Sequence, residues 1–409
     1  VEGPWPHLAR LHVVDLARPV PAQQEHNMKR HVVSPRANWQ ERAEEVGFTY
    51  HTAGLAAESG DGTYWDESVA YEFTAAEVDE IEAATEECHD RCIEAVDRVF
   101  KDRDLMKKMG IPPLYHDYIQ WSWARQDPTL YGRFDFAYDG KGPPKMLEYN
   151  ADTPTMVIET ALMQWFWLQD THKGCDQFNS LHEKLLERFG ELRTIMTPGE
   201  RFYFSGYEEN EEERQTCIYL QDLAKQAGMD TEFIDLGKIG WLDGKFVDQQ
   251  DRQMKYWFKL YPWEWMIDDE FGSYTRNDVS GIVEPIWKMI LSNKGILPIL
   301  HEMFPDHPNI LPAKWTAEEM QGDYVSKPLL SREGANIDIV SNGRTIDSTD
   351  GIYQGRKIYQ QRADLFRQDG YNAVIGSWVV GNKAAGMIIR DADREIVRDR
   401  SRVVPHWFL

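Results

Sequence analysis

Between Thr74 and Asp104 the apolar positions recur at helical spacing. Val78, Ile81, Cys88, Cys92, Ala95 and Val99 form one stripe with charged residues between them, and Thr74 offers an N-cap hydroxyl. The pattern predicts a long amphipathic helix in which Cys88 and Cys92 are packing residues, not metal ligands. Before it no period is visible. Residues 1–45 carry Pro4, Pro6, Pro19, Pro21 and Pro35 and read as an irregular arm, and Gly60–Tyr64 is turn-rich.

Beyond the helix the period shortens. Tyr131–Tyr138 and Lys145–Asn150 read as strands joined by a turn at Gly140–Pro144. Thr153 before Pro154 predicts an N-cap and first helical residue, with a helix running to Asp170. A strand Arg201–Tyr207, a helix Glu211–Ala227 stopped by Gly228, and a strand Thr231–Leu236 predict a β-α-β unit. It has no G-x-G-x-x-G turn, so it is not a dinucleotide fingerprint. Pro285–Phe304 predicts helical pieces interrupted at Gly295 and Pro298. Strands over Tyr324–Lys327, Ile337–Val340, Ile358–Arg362, Ala373–Val380 and Lys383–Arg390, with turns at Ser331–Ala335 and Gly381–Asn382, predict an antiparallel β-rich lobe.

Composition narrows the function classes. The chain has 409 residues with 42% hydrophobic content, enough for a large core in several lobes. Its 45 basic and 68 acidic residues give a net charge of −23, which argues against nucleic acid or an anionic membrane as partner. Four cysteines make no disulfide framework, no run of apolar residues is long enough to span a bilayer, and the first ten residues do not resemble a signal peptide. A cytoplasmic location is the expectation.

The strand periodicity places chemistry. Residues two apart on a strand share a face, so Arg133 and Asp135 point one way, as do Glu148 and Asn150. If the strands pair antiparallel with Asp135 opposite Glu148, then Arg133 falls opposite Asn150 and all four side chains converge. Two carboxylates and an amide oxygen suit Mg²⁺, and the arginine suits a phosphoryl oxygen. A salt-bridged exposed hairpin accounts for the same pattern. Lys327, followed by the loop Ser331–Asn336, and Lys294 could grip phosphates, or be surface lysines. The glutamates at 208, 209 and 211–213 fit either a favourable helix N-terminus or an amine-binding face. No P-loop, H-E-x-x-H or G-x-S-x-G pattern occurs.

Several ordered motifs together resemble the glutathionylspermidine synthase family: Met146–Thr155 (M-L-E-Y-N-A-D-T-P-T), Pro285–Lys288 with Ser292–Pro298, Lys327–Asn336 (K-P-L-L-S-R-E-G-A-N), Ile358–Gln361, Val374–Gly381 and Ser401–His406. The likeness runs from about residue 30 to the end. It implies an α/β (α+β) ATP-grasp-type fold in circularly permuted order, metal-binding carboxylates before lysines, with a preATP-grasp-like β-α-β layer. The corresponding division is an N-terminal arm and helical region over 1–110, a metal-binding part over 111–200, the α/β layer over 201–310, and a β-rich ATP-binding lobe returning to the core over 311–409.

The resemblance also implies roles. Arg133 matches the arginine that stabilises the transferring phosphoryl group; Asp135, Glu148 and Asn150 match the Mg²⁺ ligands; Lys294 and Lys327 match the ATP lysines. Gly334 and Ala335 match the phosphate-covering loop, Gln360, Gln361, Arg362 and Ala363 the adenine-reading segment, and Arg390, Glu395, Ile396 and Val397 the far wall of the nucleotide site. Thr153, Thr155, Glu212 and Glu213 fall where glutathione and the polyamine bind. The implied activity is an ATP- and Mg²⁺-dependent ligase joining a small-molecule or peptide carboxylate to an amine. A non-catalytic nucleotide-binding relative is the rival. The amidase of bifunctional members is not expected, and Leu260 and Trp265 stand where family members carry threonines near the substrate.

Overall fold

A computed structural model describes residues 28–53, 63–277, 280–398 and 401–409. Its centre is an antiparallel sheet in the order Arg402–Val404, Lys383–Ala392, Tyr371–Val380, Tyr131–Ala137, Lys145–Asn150, with the short strand Phe366–Gln368 also pairing with Tyr371–Val380. One face of the hairpin 131–150 is aromatic: Phe134 stacks on Tyr149 at 3.9 Å. That face packs into the core with the helix Ala75–Lys101, where His89 Nδ1 lies 3.1 Å from the Tyr149 hydroxyl and Thr85 Oγ1 2.7 Å from Ser377 Oγ. This is the predicted amphipathic helix. Thr74 caps it in a reciprocal box with Glu77, and Cys88 and Cys92 are buried free thiols.

The opposite face of the hairpin is polar and forms a cleft with two further sheets. One is parallel, in the order Gly281–Val283, Tyr256–Lys259, Phe202–Gly206, Thr231–Asp235, and it contains the predicted β-α-β unit with its helix at Glu211–Gln226. The other is antiparallel, in the order Ala313–Lys314, Lys357–Gln361, Tyr324–Pro328, Asp338–Ser341, Arg344–Ser348. The β-rich stretch 323–390 is therefore not one lobe. Its first three predicted strands join this sheet with Arg344–Ser348, which the pattern did not reveal, and its last two build the central sheet, because only there do their apolar faces meet the long helix.

Three local expectations change. The arm 1–45 is not irregular throughout: Lys29–Val32 is a strand and Trp39–Glu45 a helix, while residues 1–27 lie outside the described residues. The strand exists because it pairs with Val69–Phe73, which in turn pairs with His406–Phe408, partners far away in sequence. Of the predicted turn-rich segment Gly60–Tyr64, residues 60–62 also lie outside the described residues. Pro298 does not interrupt a helix; it sits in the first turn of Ile296–Met303, where its missing N–H leaves no bond unmade.

The third change matters for the site. Pro154 does not start a helix. The helical backbone begins at Val157, passes through a π-helical turn at Glu159–Met163, and continues as Gln164–Thr171. Residues 151–156 are instead irregular, with Met156 at φ 75°. Their polar groups are engaged elsewhere: the Pro154 carbonyl accepts from Tyr131 Oη at 3.1 Å, and the Thr155 carbonyl accepts from Arg133 at 2.7 Å.

Candidate active site

The hairpin register meets the condition for convergence: Asp135 pairs with Glu148 and Arg133 with Asn150. Asn150 Nδ2 lies 3.4 Å from both an Asp135 and a Glu148 oxygen, tying the set together. Arg133 is buried; its Nε donates to Asp135 Oδ1 at 3.2 Å and its guanidinium lies 5.6 Å from the ring centre of Trp378. Gly376, paired with Asp135 on the neighbouring strand, leaves the space for it, since a Cβ there would stand 2.9 Å from Arg133 Cδ. Arg390, from the next strand, reaches the other Asp135 oxygen.

The two lysines come from opposite sides. Lys294 Nζ lies 3.0 Å from Glu148 Oε2 and donates to the Ser331 carbonyl at 2.6 Å. Lys327 Nζ donates to the Leu147 carbonyl at 3.0 Å and to Gln360 Oε1 at 2.7 Å. Burial by itself would push the Glu148 carboxyl up, but Lys294, Lys327 and Arg390 outweigh it and hold the group well below the usual carboxylate range. Burial also lowers Lys327 to about 8, against the pull of Glu148. Glu148 is thus ionised at neutral pH. Among the described residues no group of three His, Cys, Asp or Glu side chains gathers in a metal-binding arrangement. The donors here are two carboxylates and one amide, a hard-oxygen set that fits Mg²⁺ with positions left for phosphate.

A cleft of about 260 Å³ runs from this set in two directions. Toward the antiparallel sheet it is lined by Leu147, Val325, Ile337, Ile339, Leu365 and Val374, an apolar slot closed by Ile396 and Val397. Gly334 has φ 69°, and a Cβ on it would stand 2.3 Å from the Val397 carbonyl oxygen, so the loop Ser331–Asn336 can close this tightly only with glycine there. The peptide N–H of Ala335 returns to the Arg332 carbonyl at 2.9 Å. Gln361, Arg362 and Ala363 edge the slot, with Arg362 bidentate on Glu395 at 2.5 and 2.9 Å. The Gln360 side chain is a brace, bridging Lys327 and the Met146 carbonyl.

Toward the parallel sheet the cleft is lined by Thr153, Thr155, Met156, Asn210, Glu212, Glu213, Leu260, Pro262 and Trp265. Every predicted site residue except Ala335, whose neighbour Gly334 does, therefore lines this one cleft. Glu213 has a local duty: it accepts from Asn210 Nδ2 at 3.0 Å and from the Tyr207 N–H at 3.3 Å, while Asn210 caps the Glu213 N–H. Burial, with the charge of Glu212, pushes its carboxyl up to about 7.

Three groups in or behind the walls of the site carry no role in the sequence pattern. Arg332, within the loop motif, donates to Thr153 Oγ1 at 2.8 Å and twice to Glu264 Oε1, at 2.7 and 3.1 Å, so it ties the glycine loop to the facing wall of the cleft. Asp152 holds Lys259 at 2.6 Å with both side chains fully buried. Glu159, on the π-helical turn, is wholly buried and accepts from Tyr64 Oη at 2.9 Å, while its Oε2 has no partner. The motif M-L-E-Y-N-A-D-T-P-T contains Asp152, and the loop contains Arg332; Glu264 and Glu159 carry no local signal.

Burial, reinforced by Glu212, raises Glu159 to about 7. Its folded pKa lies above the unfolded value, so the fold binds more protons than the unfolded chain between about pH 4.5 and 7. Stability attributable to this group is fullest below that window and falls as pH rises through it. Glu159→Gln, which copies the protonated carboxyl, should flatten this slope and leave the protein more stable than wild type above pH 7, on the order of 3 kcal/mol at most. Urea midpoints of both proteins from pH 5 to 8 read the difference; parallel curves would show that Glu159 stays ionised.

Comparison with known proteins gives a consistent picture. The family model described as glutathionylspermidine synthase preATP-grasp matches residues 30–409. A Haemophilus influenzae protein named "Putative acid–amine ligase" is 38% identical over 380 residues, covering 89% of this chain and 95% of its own. The bifunctional glutathionylspermidine synthetase/amidase of Escherichia coli is 28% identical, covering 82% of this chain and 58% of its own, and a trypanothione synthetase of Crithidia fasciculata is 30% identical, covering 76% and 52%. The chain thus spans little more than half of these two larger proteins. Among solved structures, a glutathione synthetase-like effector from Globodera pallida superposes with a TM-score of 0.57 at 10% identity, covering 92% of this chain, a likeness of fold.

Proposed function

The chain belongs to the glutathionylspermidine synthase family, and from that premise we propose how its cleft works as the site of an amide-forming ligase of ATP-grasp-type fold. The proposed reaction joins a small carboxylic acid, glutathione or another short peptide, to an amine such as a polyamine, through an acylphosphate. The observation that supports this reading best is the convergence of Arg133, Asp135, Glu148, Asn150, Lys294 and Lys327 on one cleft from four separate segments.

A carboxylate resists attack by an amine because oxide is a poor leaving group. Transfer of the γ-phosphoryl of ATP to one carboxylate oxygen replaces that leaving group by phosphate; the amine then adds to the carbonyl carbon, loses its proton, and phosphate departs, giving amide, ADP and phosphate. Mg²⁺, held by Asp135, Glu148 and the Asn150 amide, would neutralise phosphate charge. Lys294 and Lys327 would place further positive charge on the phosphates, and Gly334–Ala335 would cover them. Arg133, its plane fixed by Asp135 and the Thr155 carbonyl, would hold the migrating phosphoryl oxygens. The apolar slot would take the base. The N–H groups of Gln361 and Arg362 are bonded to the Pro312 and Asp323 carbonyls, so base recognition there falls to carbonyl oxygens and Ala363. Thr153, Thr155, Glu212 and Glu213 would face acid and amine.

The test is thermal stability with and without Mg-ADP, for wild type and Glu148→Ala. At about 100 times its dissociation constant the ligand should add about 2.7 kcal/mol in wild type. The shift should require Mg²⁺ and vanish in the variant. A folded wild-type protein with no shift would overturn the nucleotide site; a shift without ADP release for any acid and amine pair would favour a non-catalytic nucleotide binder.

A further inference from the structure

The proposed reaction leaves one proton without a destination. An alkyl ammonium ionises near pH 10.4, as a lysine does, so at neutral pH the amine arrives with a proton that it must lose before its lone pair can form the C–N bond. The fold holds a buried carboxyl with no part in the steps above. Glu159 opens the π-helical turn Glu159–Met163. It stands one turn beyond Met156, which lines the cleft and whose carbonyl accepts the Thr160 N–H at 3.2 Å. A buried carboxyl is costly to keep where glutamine would fill the same space, and groups kept at such a cost gather at sites that move protons.

Glu159 is the inner end of a polar cluster that reaches the cleft. Tyr64 Oη donates to Glu159 Oε1 at 2.9 Å, and the Tyr50 ring lies 6.0 Å from the Tyr64 ring. Thr216 comes from the helix Glu211–Gln226, one turn from Glu212 and on the same face. Glu159 Oε2, Tyr50 Oη and Thr216 Oγ1 are all buried and all without a hydrogen-bond partner. Burial, and then the charges of Glu159 and Glu212, push both phenols up, so the two carboxyls share one neighbourhood. Phe48, Val157 and Cys217 belong to the same buried cluster as both tyrosines. Glu212 lines the cleft and is its outer end. The titratable groups acting on Glu159 are Glu212 from the helix, and Tyr50 and Tyr64 from the segment after Trp39–Glu45; none is a cation. Neighbouring carboxyls titrate as a pair, and the second to ionise does so late. An ammonium beside the pair favours the doubly ionised form and expels the last proton. Once that nitrogen becomes a neutral amide the attraction ends, and the pair binds a proton again.

We propose that Glu212 and Glu159 together accept the proton that the reacting amine loses, Glu212 meeting the ammonium and Glu159 acting through it as a buried positioning residue. The N–H bond breaks and its proton passes to the doubly ionised pair. The freed lone pair forms the C–N bond, and the C–O bond to phosphate breaks with its electrons leaving on phosphate. The pair gives the proton to solvent when the next ammonium binds. The chemical step rests on the ligase reading; the exchange of a proton for a bound ammonium does not.

Putrescine, titrated into the full chain near pH 6.5 by calorimetry in two buffers of unequal ionisation heat, counts the protons exchanged. Wild type should release up to about one proton per amine bound, and Glu159→Gln should bind the amine and release almost none. Equal release by both proteins, or no binding of putrescine by wild type, would overturn the pair. The rate of ADP release from pH 5 to 9 gives the second reading. In wild type it should rise through neutral pH. Glu159→Gln should lose that rise and fall on the order of 10²-fold in kcat on the alkaline side, with the amine KM much less affected. Tyr64→Phe, which removes a bond that favours the ionised carboxyl, should move the rise to higher pH. A purely structural Glu159 would leave the three profiles superposed. Proton release confined to wild type, with no ADP release for any acid and amine pair, supports the proton exchange and counts against the ligase. ADP release with superposed profiles supports the ligase and overturns the acceptor.

Discussion

Arg133→Met should lower ligation by on the order of 10³-fold or more while leaving Mg-ADP binding largely intact. In the proposed mechanism the side chain meets the transferring group, not the resting nucleotide. Its Nε is held by Asp135 and another nitrogen by the Thr155 carbonyl, and it packs beside Trp378 in space that Gly376 provides. Methionine keeps the aliphatic stem in that space and removes the charge. Asp135 keeps Arg390 as a partner, so no carboxylate is stranded and the fold should survive. Single-turnover phosphoryl transfer, measured beside the Mg-ADP thermal shift, separates binding from chemistry. Ligation at the wild-type rate would remove Arg133 from the role; loss of the thermal shift together with turnover would make it a nucleotide-binding residue instead.

Lys259→Met should destabilise the protein by about 3–5 kcal/mol, the usual result of stranding one partner of a buried ion pair. Lys259 is 0% exposed; its ammonium bonds Asp152 Oδ1 at 2.6 Å and the Tyr261 carbonyl at 2.9 Å. The other Asp152 oxygen accepts the Trp263 N–H at 2.8 Å. Burial lowers the lysine pKa and Asp152 opposes it, so neither charge is comfortable alone. The pair ties the segment before Thr153 to the segment before Trp265, and both of these residues line the cleft. Denaturant midpoints should show the loss, and Lys259→Met with Asp152→Asn should recover part of it. A double variant as unstable as the single one would show that lost packing, not the stranded charge, is the cause.

The arrangement also shows how the cleft is kept ready. Arg332 reaches from the glycine loop to Glu264 and Thr153, so the loop is linked to the opposite wall of the cleft. Positive side chains are spaced among the carboxylates: Arg390 on Asp135, Lys294 on Glu148, Arg362 on Glu395. In a chain of net charge −23 these cations gather at the cleft where the proposed reaction would receive phosphate charge.

What the sequence determined by itself is local and periodic. The two-residue repeat over 131–137 and 145–150 put Arg133 with Asp135 and Glu148 with Asn150 on shared faces, and made all four converge on the condition that Asp135 pairs with Glu148, which is the observed register. The 3.6-residue stripe found the long helix, and the β-α-β unit was legible from alternating periods. Tertiary structure decided the rest, because the partners lie far apart in the chain. Strand Lys29–Val32 exists only beside Val69–Phe73. The segment after Thr153 is irregular although threonine and proline favour a helix start, because Arg133 and Tyr131 take its carbonyls. The π-helical Glu159, the Lys259 that pairs with Asp152 and the Tyr207–Tyr261–Trp265 strip leave no period and no motif. Each is made by burial or by the meeting of strand ends, which short-range patterns do not encode.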